Sequence, residues 1–553
     1  MMELTFREID APDGVTVIED GPRWQIANES GETRRVRSVA RVYDLTHAGR
    51  LRMFAHGYQS WTWSGLGVVG EDVDGSLVEG SVGLTRGMHH ADQRVARPGE
   101  VRAELVTVLA DDDDVVLLGA DGGDRHDMTI RVVPTGHGTA EVRVEAFLGD
   151  VEIPSGGGVS LHGLLSAEPS DVSSGLAWWA GTVGRLNRAR TSAPFQLGWC
   201  SWYQYFHGVT EADIRANLAG AADWPFEVFQ IDDGFQSSIG DWMSMNDKFG
   251  SSHDTLAADI DAAGMVPGIW LAPFLAAPES AVAQAHPDWI AEHKPGRPLI
   301  GMVNGGWGGA VHTLDTTHPE VLDHIESIAR SLVEAGYRYL KVDFTYAPGL
   351  DGVFYDPTVT PAARVRAGYD ALRRGAGDDV FILGCGAPMG PCIGVVDGMR
   401  IGADVAPWWD VQDDQWRPPG YEPHEPATAN ALQNTITRSF MHRRLWLNDP
   451  DCHMLRTTDT RMSEAAIDSW ARAVGVSGGM ALVSDDLSLL DDHSRRRLDE
   501  AVALGRSADA AAVDGEVAVA PDLLDRHRCE VLAGPVGKLH VDPHTQVSTL
   551  TAG

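Results

Sequence analysis

The sequence predicts a multidomain chain with an N-terminal β-sandwich, a central (β/α)8 TIM barrel and a small C-terminal β-domain. Three observations predict it. The chain has 553 residues, 43% of them apolar, too many for one ordinary domain. Before residue 150 the apolar and polar residues alternate with period two. After residue 193 short apolar runs alternate with amphipathic helices.

The alternation from Arg34 to about Gly149 is clear in Val101-Arg102-Ala103-Glu104-Leu105-Val106 and in Ala140-Glu141-Val142-Arg143-Val144-Glu145. Turn-rich clusters at Ala110 to Asp114 and Gly119 to Asp124 cut it into short strands, as in a large sandwich. A helix over about Ser173 to Arg188, with Leu176, Trp179 and Val183 on one face, leads out of this first domain, residues 1–185.

Eight apolar runs then read as parallel strands: Phe195 to Trp202, Val228 to Asp232, Val266 to Ala272, Tyr337 to Asp343, Phe381 to Cys385, Met399 to Asp404, Leu445 to Asn448 and Met480 to Ser484. Helices are clearest at Glu320 to Glu334, Ala362 to Arg374, Ala427 to Arg443 and Glu464 to Val474. Eight such repeats make a barrel over residues 190–505. The gap between the fifth and sixth runs is too short for a full helix. Gly515 to Ala520 and Lys538 to Val541 read as strands of a closing β-domain, residues 506–553.

Composition excludes whole classes of function. Seventy-nine acidic against 44 basic residues give a formal charge of -35, which repels phosphate backbones and anionic lipid, so no nucleic-acid or membrane partner is expected. No signal peptide and no apolar stretch of bilayer length is recognisable. The five cysteines lack a CxxC pair and read as reduced thiols of a cytoplasmic protein, with no metal and no cofactor expected. Lysine occurs only at Lys248, Lys294, Lys341 and Lys538. Arg-favouring codon usage explains this, and so does adaptation to high salt, where an acidic surface is screened. The sandwich leaves room for a homo-oligomer interface without identifying its patch.

Active sites of such barrels lie at the C-terminal strand ends, and there the sequence places carboxylates: Asp232-Asp233, Asp343, Asp404 and Asp449-Pro450-Asp451. An Asp after a strand is also a favoured helix N-cap, so it is their convergence on one face that points to chemistry. Lys341 and Asp343, two apart, face one way, and a cation beside Asp343 would hold it ionised as a nucleophile must be. Arg400 and Asp404, four apart, share a face. A general acid must keep its proton, so Asp404 needs burial or a second carboxylate beside it. Asp232 and Asp233 offer a fork of acceptors for neighbouring hydroxyls. Trp202, Tyr203, Trp270, Trp408 and Trp409 fall at or beyond strand ends, where a flat ring stacks on a sugar face. Carboxylates and aromatic platforms, with no phosphate loop and no metal-ligand spacing, favour glycoside chemistry.

The motifs Gly198-Trp199-Cys200-Ser201-Trp202-Tyr203, Ile231-Asp232-Asp233-Gly234, Gly268-Ile269-Trp270-Leu271-Ala272-Pro273, Lys341-Val342-Asp343-Phe344, Gly384-Cys385-Gly386-Ala387-Pro388 and Arg400-Ile401-Gly402-Ala403-Asp404 resemble bacterial α-galactosidases of glycoside hydrolase family 36. Gly57-Tyr58-Gln59-Ser60-Trp61 resembles the segment that the N-terminal domain of that family lends to the active site. The resemblance implies a retaining double displacement on terminal α-galactosides such as melibiose and raffinose-type oligosaccharides, with Asp343 as nucleophile and Asp404 as general acid and base. It implies that Asp232 and Asp233 bind the 4- and 6-hydroxyls and that Lys341 and Arg400 make further contacts. Trp202, Tyr203, Trp270 and Cys385 would shape the pocket, and Trp61 would close it. A retaining pair stands about 5 Å apart. An α-N-acetylgalactosaminidase or a raffinose-synthase-like galactosyltransferase would use the same carboxylates. The loops Leu275 to Thr313 and Val411 to Pro426 set access and leave the aglycone open.

Overall fold

The computed structural model describes residues 2–20, 23–71, 77, 83–112, 114–412 and 420–552. Its N-terminal part is antiparallel. One five-stranded sheet runs in the order Glu3–Asp10, Arg34–Thr46, Thr139–Ile153, Asp127–Gly136, Val101–Glu104. A second runs Leu164–Ala167, Val115–Ala120, Val106–Ala110, Arg52–Ala55, Gly65–Val68. The strands Glu3–Asp10, Val15–Asp20 and Arg23–Asn28 precede the alternating region read from sequence; Glu3–Asp10 is an exposed edge strand, so it lacks a buried face to give it away. The chain passes between the two sheets at Leu105, whose φ of +71° makes the corner while its N–H donates to Met128 O at 2.8 Å.

The helix Val172–Leu186 is capped by Asp171, which accepts from Ser174 N, and the Trp179 indole donates to Ala120 O at 2.9 Å. This fixes the helix to the sandwich before the barrel begins.

The barrel strands are β1 Leu197–Cys200, β2 Val228–Ile231, β3 Val266–Leu271, β4 Tyr339–Val342, β5 Phe381–Gly384, β6 Gly398–Arg400, β7 Leu447–Asp449 and β8 Ala481–Val483. All pairs are parallel, in the order β7-β6-β5-β4-β3-β2-β1-β8. Met480 N donates to Asn448 O at 2.9 Å where β8 approaches β7, leaving the barrel nearly closed. Each strand overlaps one predicted run, with β6 starting one residue earlier and β7 ending one residue later than expected. Between β5 and β6 lies only the short helix Met389–Cys392.

Three expectations are corrected. The helix expected at Ala427 to Arg443 is Thr428–Thr437 followed by a 3-10 turn, Ser439–Met441, because Arg438 leaves the helix to bind backbone carbonyls of the sandwich. The final barrel helix runs Asp492–Val513, so the boundary expected at 505/506 falls inside it. Gly515 to Ala520 carries a single isolated bridge, Val519 to Ala533, rather than a strand. The closing sheet is Val531–Gly534, Gly537–Val541 and Ser548–Thr551. Among the described residues no helix is long and apolar enough to cross a membrane.

Candidate active site

The floor of the site is set by β2 and β4. The chain leaves β2 at Asp232, which is 1% exposed, and β4 brings Lys341, 4% exposed, against it. Lys341 Nζ stands 2.9 Å from Asp232 Oδ2. Strand periodicity does not reveal this partner: the cation that shares a face with Asp343 forms its ion pair with Asp232 while its field still favours ionised Asp343. Burial works against the Lys341 charge, yet the Asp232 carboxylate keeps its pKa well above the ordinary value. Asp232 Oδ2 also accepts from Gln230 Nε2 at 2.5 Å and the Cys200 thiol at 3.4 Å.

Asp343 follows β4. Trp270 Nε1, from β3, donates to its Oδ2 at 3.0 Å, and the backbone N–H of Phe344 donates to Oδ1 at 2.8 Å. Phe344 adopts φ +54°, a strained turn for a side-chain-bearing residue, and its ring lies between Trp61 at 5.0 Å and Trp307 at 4.8 Å. Gly386, at φ +50°, makes this approach feasible: a Cβ there would meet the Trp61 ring at 2.7 Å and Asp343 Oδ1 at 3.0 Å. Burial raises the Asp343 pKa, while Lys341 and the two hydrogen bonds oppose the rise.

Asp404 approaches from beyond β6 and accepts from Arg400 Nη1 at 2.8 Å. Arg400 also holds Asp449 through Nε at 2.9 Å and Asp451 through Nη2 at 2.8 Å. Burial raises the Asp404 pKa; Arg400 and Lys341 pull it down and Asp343 pushes it up. Of the two conditions stated for a general acid, Asp343 supplies the second carboxylate, while the Asp404 side chain is only partly withdrawn from solvent, at 30% exposure. Burial likewise pushes Asp451 up to about 6 against the pull of Arg400, and the Tyr203 hydroxyl donates to its Oδ2.

These groups open onto a cavity of about 240 Å³, smaller than the ~300–1,000 Å³ of sites for drug-sized ligands. Trp61, Trp202, Asp232, Asp233, Trp270, Lys341, Asp343 and Asp404 line it. Tyr203, Cys385 and Arg400 stand behind that wall: Arg400 and Tyr203 organise carboxylates, and Cys385 is fully buried, its thiol pKa raised by burial and then by Asp343.

Trp61 reaches the barrel on the segment 57–61, which Arg438 secures. Its Nη1 donates to Ser60 O at 2.7 Å and Ile401 O at 2.8 Å, and its Nη2 to Gly57 O at 3.1 Å. Asn434 adds bonds to Ser64 N and Thr62 O, both 3.0 Å.

The remaining wall escaped sequence reasoning. Met302, Asn304 and Trp307 come from a hairpin, Ile300–Asn304 with Gly309–Thr313, inside the loop noted for its Trp and Gly content. The Trp307 indole donates to Asp233 Oδ2 at 2.7 Å and His207 Nδ1 lies 3.3 Å from the same oxygen, so part of the expected acceptor fork is occupied from within. Gly306 packs on His207, where a Cβ would clash at 2.1 Å. Met88, Tyr421, His424, Glu425 and Pro426 complete the lining. Of the loop Val411 to Pro426, residues 413–419 lie outside the described residues.

A barrel whose mouth gathers buried carboxylates between indole walls defines the class, a glycosidase-type barrel enzyme. Residues 192–347 match the Melibiase family model. A solved α-galactosidase from Thermus thermophilus in complex with stachyose is 28% identical, with a TM-score of 0.68 over 88% of this chain and 99% of that one. The chain is thus similar to the melibiase family over residues 192–347 and to a solved α-galactosidase over most of its length. The α-galactosidase AgaA of Geobacillus stearothermophilus is 29% identical over 151 residues, 26% of this chain and 20% of that protein, so the matched stretch spans a fifth of this curated relative. The α-galactosidase of Lactobacillus brevis shares the fold at 13% identity, with a TM-score of 0.61 over 98% of this chain and 75% of that one.

Proposed function

We propose that this chain is a retaining exo-α-galactosidase that removes terminal α-galactosyl residues from melibiose and raffinose-type oligosaccharides. The observation that carries the reading is the shared cavity of Asp343 and Asp404, a buried carboxyl and a half-buried one in different surroundings. Asp343 receives two N–H donors and the field of Lys341, which favour the ionised form of a nucleophile. Asp404 lies in the field of Asp343, which favours the protonated form of an acid.

The steps follow from these roles. Asp343 attacks the anomeric carbon while Asp404 gives its proton to the departing oxygen. Asp404, now a base, takes a proton from water, which displaces Asp343 from the β-linked intermediate. Lys341, Asp232 and Asp233 hold the galactosyl hydroxyls, and the cavity volume suits one sugar ring, hence exo action. The stachyose in the Thermus thermophilus complex supports an oligosaccharide substrate.

Five buried free thiols accord with a cytoplasmic location. The charge of -35 is carried as an adaptation to high salt; equal activity and stability in dilute and molar salt would contradict it.

Hydrolysis of matched p-nitrophenyl α-galactoside, α-N-acetylgalactosaminide and α-glucoside tests the reading. Selective turnover of the galactoside is expected; preference for either of the others, or none turned over, would overturn it.

A further inference from the structure

Tyr421 lines the cavity and stands apart from the carboxylate floor. It shares the lining of the cavity with Glu425 and with Asp404, the residue read above as the acid. Its partner comes from the other domain. His89, at the end of the helix Gly83–His89, is fully buried and has its Nε2 3.1 Å from the Tyr421 oxygen.

The direction of that hydrogen bond can be traced. The backbone N–H of Trp61 donates to Gln59 Oε1 at 2.9 Å, and Ser60 Oγ donates to the same oxygen at 3.2 Å. The Gln59 amide is thereby oriented with its NH₂ toward His89 Nδ1, 3.5 Å away. An amide nitrogen only donates, so Nδ1 is the acceptor, and Thr62 Oγ1 at 3.2 Å can donate to it as well. Burial and the neighbouring His424 and His90 hold the His89 pKa well below its usual value. A neutral ring with an accepting Nδ1 carries its one proton on Nε2, which donates to Tyr421. Tyr421, having accepted, keeps its own O–H for the cavity. Among the described residues, the acceptor this hydrogen finds is the Met88 sulfur at 3.7 Å, a weak one.

We propose that Tyr421 is a leaving-group-binding residue, a donor preset toward a hydroxyl or ether oxygen of a sugar aglycone, and that His89 of the sandwich is the positioning residue that sets its polarity. The sandwich thus shapes selection of the leaving group through the Gln59–His89–Tyr421 relay, in addition to lending Trp61 to the wall. This rests on the glycosidase reading above.

The test compares kcat/KM for melibiose, whose leaving group is a sugar, with that for p-nitrophenyl α-galactoside in wild type, Tyr421→Phe, His89→Leu and His89→Gln. Loss of one neutral hydrogen bond should lower the melibiose-to-aryl ratio roughly threefold to tenfold in Tyr421→Phe. His89→Leu should lower it in the same direction, and His89→Gln, whose amide nitrogen can replace Nε2, should restore much of it. A ratio within twofold of wild type in Tyr421→Phe overturns the proposal even if both rates fall, since that is what a structural role alone would give. Tyr421→Phe decides the matter should the buried His89 variants fail to fold. A wild type that hydrolyses neither substrate overturns the glycosidase reading itself, and the relay's function with it.

Discussion

Lys341 Nζ and Asp232 Oδ2 form an ion pair of 2.9 Å between two residues that are both almost completely buried. The pair spans β4 and β2, so one charge of each sign is removed from water at the centre of the barrel mouth. Such a pair is kept in place by the cost of leaving either member alone.

Lys341→Met should therefore destabilise the protein by about 3–5 kcal/mol and weaken substrate binding together, because Asp232 would be left buried without its cation. Lys341→Arg should not restore binding, since a planar guanidinium does not fit the space of a compact ammonium. Thermal unfolding and KM for p-nitrophenyl α-galactoside measure both effects; an unchanged melting temperature and KM in Lys341→Met would contradict the assignment.

Asp343→Ala should lower kcat by roughly 10⁴-fold or more with the fold retained, as removal of an attacking group does. Asp404→Ala should slow melibiose far more than p-nitrophenyl α-galactoside, whose leaving group departs with little protonation. Equal losses on the two substrates would remove the acid role from Asp404.

The pH dependence has a defined sign. Asp343 must be ionised to attack, so kcat/KM falls as pH drops through its pKa; Asp404 must be protonated, so kcat/KM falls as pH rises through its own. Both values are raised by burial, so both limbs should lie above the ~3.9 of an ordinary Asp. Asp404→Asn should lose the alkaline limb. A bell centred in the ordinary Asp range, or an alkaline limb that survives in Asp404→Asn, would count against these roles.

Asp127, buried in the sandwich, has its pKa raised to about 7 by burial, with Arg364 and His162 opposing, and its Oδ2 has no hydrogen-bond partner. Ionisation is therefore disfavoured in the folded state. The penalty is absent below the unfolded pKa, grows as pH rises from about 4 to 7, and is complete above that. Asp127→Asn should raise stability by a few kcal/mol at pH 8 and hardly at pH 4. Denaturant unfolding at the two pH values checks this; equal effects at both would refute it.

The barrel was legible because each strand is a short apolar run that ends in a polar residue, and the catalytic candidates are those polar residues. Asp232, Asp343 and Asp404 could be read from run ends alone. The partner of Lys341 could not, because the period of β4 orders its own side chains and says nothing about what β2 sends across the barrel mouth. Trp307 and Tyr421 were hidden for a related reason: they sit on loops, and only tertiary bonds, Trp307 to Asp233 and Tyr421 to His89, bring them to the cavity. Trp61 was visible through family resemblance, whereas its anchor Arg438 looked like one more residue of an amphipathic helix. Glu3–Asp10 was missed because an exposed edge strand has no buried face to set a period.

The most direct test of the central claim is azide rescue of the two Asp variants on p-nitrophenyl α-galactoside, with the anomer of the product read by NMR. With Asp343→Ala, azide takes the place of the missing nucleophile and should yield β-galactosyl azide; with Asp404→Ala, it should open the enzyme-bound intermediate and yield the α-anomer. The reverse assignment of anomers, or α-galactosyl azide from both variants, would contradict Asp343 as the nucleophile.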